Sequence, residues 1–340
     1  MHPSLHNLRQ RTSVIVTTLL LLAVASLLFA SMTGSVAIPL SDLPGAIDAL
    51  LHGRADSLAA TLLELRGGRA STAFVTGAAL SLAGVMMQAL LRNPLADPYV
   101  LGISGGASVG ALAALLFMCA TWMIDAAAFA GAVTVSLLLY FLARRDLRGG
   151  TAAEGGTALL LLTGVILASV CMAIVTLMLS VAPESRLRSM VFWLIGDLAG
   201  APQRWMPWAV LAGGLWFALR SARAMNVMAL HAEAAATLGI RVGALRKGLF
   251  FCSGLLTASA VTSAGSIGFV GLIVPHACRF AFGPDHRVLI PAAALAGGSF
   301  LVLADTLART VLAPQQLPVG VVTSLVGAPI FLYQLHRLRK

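Results

Sequence analysis

The sequence predicts an all-α polytopic membrane protein, and three observations support this fold class. The 340 residues are 59% hydrophobic and only 11% charged, whereas a soluble domain carries about 25% charged residues. Apolar stretches of nearly twenty residues recur along the chain, which is the length an α-helix needs to cross a bilayer. Glycine is frequent, with 33 residues, and small residues let helices pack closely in lipid. We therefore predict a bundle of membrane-spanning helices in a single domain, 1–340.

Ten apolar stretches are predicted as spans, which places both termini on the same side of the membrane. The first stretch follows Arg9 and Arg11 and is longer than the apolar core of a cleaved signal peptide, so we interpret it as a retained span. The break between the seventh and eighth spans, at 264–266, is the least sharply marked. The predicted spans are 14–34, 69–90, 99–120, 122–143, 157–180, 205–220, 247–265, 267–282, 288–307 and 318–335.

The basic residues predict the orientation of this bundle. With both termini in the cytoplasm, the inner segments hold 16 of the 23 Lys and Arg residues, and the outer segments hold the other seven. Cytoplasmic loops of membrane proteins carry such an excess of Lys and Arg, so topology explains the net charge of +10. A nucleic-acid partner is not predicted, because no basic run with interleaved aromatic residues is present.

Two predicted external segments carry amphipathic patterns. In segment 35–68, Ile47, Leu50 and Leu51 indicate a short helix that lies on the outer leaflet. The second pattern predicts a helix at about 186–196. It is either an interfacial helix with an aromatic anchor or a lid over an outer cavity, and both interpretations stay open.

Two predicted internal loops are candidate cytoplasmic gates. The loop 91–98 contains prolines, which break helices and set a rigid turn. Behind it, Gly102, Gly106 and Gly110 share one helix face, where they allow another backbone to approach closely. The loop 144–156 is pliable because of its glycine pairs. The residues assigned to gating are Asn93, Pro94, Leu95, Ala96, Asp97, Pro98, Gly149 and Gly150.

The sequence lacks the residues that an enzyme or a self-powered carrier needs. No Gly-x-x-x-x-Gly-Lys-Ser/Thr loop is present, and no nucleophile–base pair or metal cluster occurs in a loop. The four cysteines have no metal-type spacing. A membrane enzyme is therefore not predicted, and a transporter of this sequence would take its energy from another polypeptide. The alternative is a secondary, ion-coupled carrier, although such carriers place carboxylates or histidines within the membrane and few ionisable residues fall there.

A polar interval at 220–247 separates two membrane-length apolar stretches, so we expect it to stand in water and contact a partner. Within it, Gly239 suits a helix end. Four apolar residues recur on one helix face, which is typical of a helix that packs on another surface. They are Val227, Leu230, Ala234 and Leu238.

Three long, ordered motifs carry a resemblance to a known family. They are Asn93-Pro94-Leu95-Ala96-Asp97-Pro98, continuing to Ala107; Ile267-Gly268-Phe269-Val270-Gly271, continuing to Arg279 and Gly283-Pro284-Asp285-His286-Arg287; and Ala304-Asp305-Thr306 with Leu317-Pro318-Val319-Gly320 and Gly327-Ala328-Pro329. Over roughly residues 60–338 the chain resembles the FecCD-type permease subunits of type II ABC importers, which take up cobalamin, haem and ferric siderophores.

This resemblance implies a ten-span subunit that pairs as a homodimer in the bacterial cytoplasmic membrane, with the fifth span near the axis. Two cytoplasmic ATPase subunits would drive it, and an external binding protein would deliver the substrate. The chain itself would hold no cofactor, because ATP and Mg²⁺ belong to the ATPase. The family's coupling helices imply ATPase contact at about 223–245. The residues matched to this role are Val227, Leu230, Glu233, Ala234, Ala235, Leu238 and Gly239.

The resemblance also implies a docking role for three external arginines, Arg66, Arg69 and Arg309, which would pair with glutamates of the binding protein. The glycine pair between Arg66 and Arg69 predicts a loose backbone there. Two further arginines, Arg186 and Arg188, are candidate contacts for an anionic group of the substrate.

Overall fold

The computed structural model describes residues 5–53, 57–144, 154–199, 205–230 and 232–338. These residues form helices and connecting turns, and no strand occurs among them. The helices are α1 (Leu5–Met32), α2 (Leu43–Leu51), α3 (Leu58–Leu91), a 3₁₀ helix (Pro98–Leu101), α4 (Ile103–Leu116), α5 (Thr121–Leu142), α6 (Glu154–Val181), α7 (Glu184–Ile195), α8 (Met206–Leu230), α9 (Ala232–Thr237), α10 (Val242–Ala264), α11 (Val270–Phe282), α12 (His286–Thr310) and α13 (Val319–Leu338).

Each of the ten predicted spans coincides with one of these helices, so the all-helical prediction is confirmed. In the described residues, five helices are long and apolar enough to cross a membrane: Gln10–Met32, Leu58–Leu91, Thr121–Leu142, Leu159–Val181 and His286–Thr310. The span count of ten and the cytoplasmic position of the termini stay predictions. The short helices predicted on amphipathic grounds are present as α2 and α7.

Helix α3 is the centre of the bundle, and it begins earlier than predicted. Ser57 caps it by accepting a hydrogen bond from the backbone nitrogen of Ala60 at 3.1 Å. The helix then continues through Gly67 and Gly68 without a break, so the expectation of a loose backbone there was wrong. The most apolar window of this helix is wholly buried. As a result, Arg66 and Arg69 lie inside a 34-residue helix rather than in the loop before it.

Glycines set the closest helix contacts. A Cβ atom built on Gly84 of α3 would lie 1.9 Å from the carbonyl oxygen of Gly271 in α11. The predicted close approach behind the loop 91–98 is also confirmed, because a Cβ on Gly106 or Gly110 would lie 2.4 Å or 2.0 Å from a backbone oxygen of α5. Helices without side chains at these points can bring their backbones together, as small residues do in membrane bundles.

The break between the seventh and eighth predicted spans is also present. Helix α10 ends at Ala264, and α11 begins at Val270. Gly265 ends α10 with a φ of +69°, a left-handed conformation that glycine adopts without a steric penalty. The backbone nitrogen of Ile267 in this break donates to the hydroxyl of Tyr99 at 3.0 Å, so the break is tied to the 3₁₀ helix that precedes α4.

Candidate functional site

An arginine–aspartate cluster lies where the end of α1, the first half of α3 and the end of α12 meet. Asp305 of α12 is 1% exposed. Arg69 donates to its carboxylate from Nε, at 3.0 Å from each oxygen, and from Nη2 at 2.8 Å. Arg309, one turn further along α12, has its Nε 3.7 Å from the same carboxylate. One buried carboxylate therefore faces two guanidinium groups, and the geometry with Arg69 is the strong, forked form.

Arg66 and Arg309 also hold the carboxyl-terminal end of α1. Arg66 donates to the carbonyl of Met32 at 3.1 Å and to that of Val36. Arg309 donates to the carbonyl of Ala30. The last carbonyls of a helix have no partner within the helix and carry partial negative charge. The two arginines supply donors and positive charge there, which fixes α1 to α3 and α12.

The structure thus brings the three predicted docking arginines together, but they differ in how far they are exposed. Arg66 and Arg309 are buried, at 7% and 5% exposure. The side chain of Arg69 keeps 13% exposure, and its Nη1 donates to the exposed side chain of Gln316 at 2.8 Å. Arg69 and Gln316 therefore present the surface of this cluster. The docking role of all three stays a prediction.

Sequence reasoning missed Asp305 and Gln316 as members of this cluster. One signal was available, because Asp305 is an acidic residue within a predicted span and Arg309 follows it at the i,i+4 spacing of a helical ion pair. The partnership with Arg69, which lies 236 residues earlier in the chain, has no local signal.

The loop 91–98 is a rigid turn, as its prolines predict. Arg92 ends α3 with a φ of +50°, and the side-chain oxygen of Asn93 accepts from the backbone nitrogen of Leu95 at 2.9 Å. Asp97 accepts from the backbone nitrogen of Tyr99 at 2.8 Å and so caps the 3₁₀ helix. Burial raises the pKa of Asp97 to about 6, although the hydrogen bond from Tyr99 opposes that rise. Whether this loop moves as a gate stays a prediction, and Gly149 and Gly150 of the second gate lie outside the described residues.

The predicted coupling segment 223–245 comprises the end of α8, all of α9 and the start of α10. Gly239 ends α9 with a φ of +80°, and its nitrogen donates to the carbonyl of Ala236 at 3.0 Å. The nitrogen of Ile240 donates to the carbonyl of Ala235, also at 3.0 Å. This pair of bonds is the Schellman motif, so the predicted helix end is confirmed.

The described side chains of this segment do not form the single apolar stripe that the sequence predicts. On α8 the inward side chains are Ala222, Met225 and Met228, all at most 1% exposed, whereas Val227 is only partly buried. Ala235 is buried and Leu238 is 71% exposed, so the end of α9 presents an apolar side chain to its surroundings. The side chains of Leu230, Glu233 and Ala234 lie outside the described part of the structure.

A polar joint fixes the end of α8 to the start of α12. The side-chain nitrogen of Asn226 donates to the carboxylate of Asp285 at 2.7 Å, and its oxygen accepts from the backbone nitrogen of His286 at 2.9 Å. Asp285 in turn caps α12 through the backbone nitrogen of Arg287. Helix α12 has 25 residues, about 37 Å at 1.5 Å per residue. One helix therefore links this joint to the arginine–aspartate cluster at its other end.

The two candidate substrate contacts have partners within the chain. Arg186 donates from Nη1 to the carbonyls of Leu115 and Leu116 at 3.0 Å and 2.8 Å, where it caps α4. Arg188 lies 5.5 Å from the ring centre of Phe192, a cation–π distance. A substrate contact of either residue stays a prediction.

These features define a class of protein: a helical membrane bundle, in which five of the described helices are long and apolar enough to cross a bilayer. No group of three or more metal-ligating side chains occurs in the part of the chain that the structure describes. The chain belongs to the FecCD transport family, whose model matches residues 19–337. The resemblance inferred from the three motifs is thereby confirmed.

Known proteins similar to the chain are transport subunits. The vitamin B12 import system permease protein BtuC of Escherichia coli O9:H4 (strain HS) is 39% identical over 282 residues, 82% of this chain and 84% of the relative. The same protein of Shigella boydii serotype 18 (strain CDC 3083-94 / BS512) matches to the same extent. A solved inward-facing conformation of a metal-chelate type ABC transporter has a TM-score of 0.78 at 27% identity, covering 96% of this chain and 99% of that one. PsaBC from Streptococcus pneumoniae, with a TM-score of 0.56 and 18% identity, shares the fold.

Proposed function

We propose that the chain is the permease subunit of an ATP-driven importer in the bacterial cytoplasmic membrane. It moves a metal chelate, either cobalamin, haem or a ferric siderophore, from an external binding protein into the cytoplasm. The observation that carries this proposal is the family match over residues 19–337. Relatives named for vitamin B12 import and for metal chelates favour a large chelate as the substrate.

The geometry supports a route from docking to coupling. A loaded binding protein contacts Arg69 and Gln316 at the arginine–aspartate cluster, whose inner arginines hold α1 in place. Two cytoplasmic ATPase subunits, which bind ATP and Mg²⁺, press on α9 and its exposed Leu238. Because Asn226 joins α8 to α12, a displacement of the coupling segment is carried along α12 to the cluster, and the loops 91–98 and 144–156 open or close the inner end.

The exposed face of α6 supports a homodimer. Its apolar residues Leu162, Ile166, Met172 and Leu177 are 55% to 62% exposed. Next to this face, α4, α5 and α6 line a mostly apolar, open groove of about 590 Å³. A second subunit placed on this face would cover the apolar residues, and the chelate would pass along the interface between the two subunits.

The direct test is uptake by vesicles that contain the permease with and without its ATPase subunits. We expect uptake of the chelate to require the ATPase subunits, ATP and the loaded binding protein. Uptake that continues after the ATPase subunits are removed would instead identify a secondary carrier. Binding measurements on the partner binding protein with cobalamin, haemin and several siderophores would identify the substrate.

The substitution Glu233→Lys tests the coupling segment. We expect it to abolish co-purification of the ATPase subunits, because it reverses the charge on the helix proposed to contact them, while the melting temperature of the permease stays unchanged. Glu184→Lys, on the predicted external side, is the charge-matched control and should retain the ATPase. Normal co-purification and normal coupled hydrolysis in the Glu233→Lys variant would remove this residue from the interface.

The substitution Asn226→Ala tests the joint between α8 and α12. We expect ATPase subunits to bind and hydrolyse ATP normally, while the amount of chelate transported per ATP falls about tenfold, because the coupling segment no longer moves α12. Asn226→Asp should be more severe at neutral pH, since it places two carboxylates where a 2.7 Å hydrogen bond now lies. Transport and hydrolysis that fall in equal proportion would contradict a role in coupling.

A further inference from the structure

A cavity of about 1130 Å³ lies between the start of α1, the end of α8 and the start of α12. Three arginines line it, namely Arg11, Arg223 and Arg287. All three are exposed, and none of their guanidinium groups has a hydrogen-bond or ion-pair partner among the residues that the structure describes. The one acidic side chain in the lining is Asp285, and its carboxylate already accepts a hydrogen bond from Asn226. The cavity therefore has an excess of unpaired positive charge.

The rest of the lining is largely apolar. It includes Ile15, Val16, Leu219, Phe282 and Val288. The arginines lie at the positions where helices pass from apolar to polar sequence. Arg11 precedes the apolar run of α1, Arg223 follows the long apolar stretch of α8 that ends at Leu219, and Arg287 is in the first turn of α12. These three helix ends thus mark one level of the bundle, which the distribution of basic residues predicts to be the cytoplasmic face of the membrane.

Helix α1 provides a surface that continues from this cavity towards the middle of the bilayer. Only 17% of its most apolar window is buried, and Leu21 and Leu28 are 65% and 60% exposed. A molecule in the cavity could therefore place an anionic group against the arginines and an apolar chain along α1. An acidic protein surface would satisfy the arginines, but it would not use the apolar floor.

We propose that this cavity binds an anionic phospholipid of the inner leaflet. Its phosphate lies among Arg11, Arg223 and Arg287, and an acyl chain lies against Ile15 and Val16 along α1. Basic pockets between helices on the cytoplasmic side are suited to such headgroups, and each basic residue adds to the attraction. The lipid would hold α1 against α8 and α12 close to the joint at Asn226. This inference goes beyond the importer function, and its test does not depend on transport.

Native mass spectrometry of the purified permease tests this proposal. With mixed phosphatidylglycerol and phosphatidylcholine, we expect the wild type to retain phosphatidylglycerol at least tenfold more strongly, and millimolar inorganic phosphate should not displace it. The variant Arg11→Gln/Arg223→Gln/Arg287→Gln should lose this preference. The matched control, Arg144→Gln/Arg220→Gln/Arg241→Gln, removes the same charge from exposed arginines outside the cavity and should keep it.

A second variant keeps the test valid where the triple substitution impairs folding. Val16→Trp fills the apolar floor without removing charge, so it should weaken phosphatidylglycerol retention. The matched control is Val14→Trp on the same helix, because Val14 is 65% exposed and lies outside the lining of the cavity, and it should not weaken retention. Equal retention of the two lipids by the wild type, or displacement by inorganic phosphate, would overturn the proposal. So would an arginine variant that keeps its lipid but no longer co-purifies with the ATPase subunits, because the cavity would then be a protein contact.

Discussion

Asp305→Asn is expected to lower the free energy of unfolding by about 3 to 5 kcal/mol, the range for removing one partner of a buried ion pair. The substitution leaves Arg309, which is 5% exposed, with no opposite charge in reach among the described residues. It also removes the forked contact that orients Arg69. The measurement is the melting temperature and the denaturant midpoint of the purified permease in detergent, compared with the wild type.

Two matched variants show whether the loss comes from the buried cluster. Asp42→Asn makes the same change at an exposed carboxylate and should alter stability by less than about 0.5 kcal/mol. Arg69→Gln should cost less than Asp305→Asn, because Asp305 keeps Arg309 within 3.7 Å. Arg69→Gln should nevertheless weaken docking of the binding protein, since Arg69 and Gln316 form the surface of the cluster. An Asp305→Asn variant as stable as the wild type would refute the structural role assigned to this carboxylate.

The order of helices could be predicted from the sequence because it depends on local composition. Apolar runs mark each membrane-length helix, prolines mark the turn at 91–98, and Gly239 marks the end of α9. The start of α3 was missed for a physical reason. Glu64, Arg66 and Arg69 make residues 58–69 look like an external loop, whereas burial of Arg66 against α1 and the ion pair of Arg69 with Asp305 of α12 let the helix extend through them.

The contacts within the candidate site could not be predicted, because they join distant parts of the chain. Arg69 meets Asp305, and Asn226 meets Asp285 59 residues later. Neither pair has a spacing that a helix or a turn would produce. The motifs at 283–287 and 304–306 nevertheless contain both acidic partners. The family resemblance marked these positions, and only the fold shows that the two ends of α12 hold them.

The second large effect is expected at the contact between α3 and α11. Gly84→Ala places a Cβ atom 1.9 Å from the carbonyl oxygen of Gly271, and a backbone atom cannot rotate away as a flexible side chain can. The helices must separate, so we expect a loss of about 3 kcal/mol in the free energy of unfolding and a low yield of folded protein. The separation would also strain the hydrogen bond from Gln88 to the carbonyl of Leu272, which is 3.3 Å long. Since Gln88 also accepts a hydrogen bond from Arg279, that contact would be disturbed as well.

The same substitution at Gly213 is the control for Gly84→Ala. Gly213 also lies within a long helix, α8, but a Cβ there meets no atom within 4 Å. Alanine favours the helix by about 0.5 to 1 kcal/mol over glycine, so Gly213→Ala should leave the melting temperature unchanged or raise it. Opposite signs for the two variants would show that backbone approach, and not helix propensity, requires glycine at position 84. A Gly84→Ala variant that folds and transports like the wild type would mean that α3 and α11 do not pack at this distance.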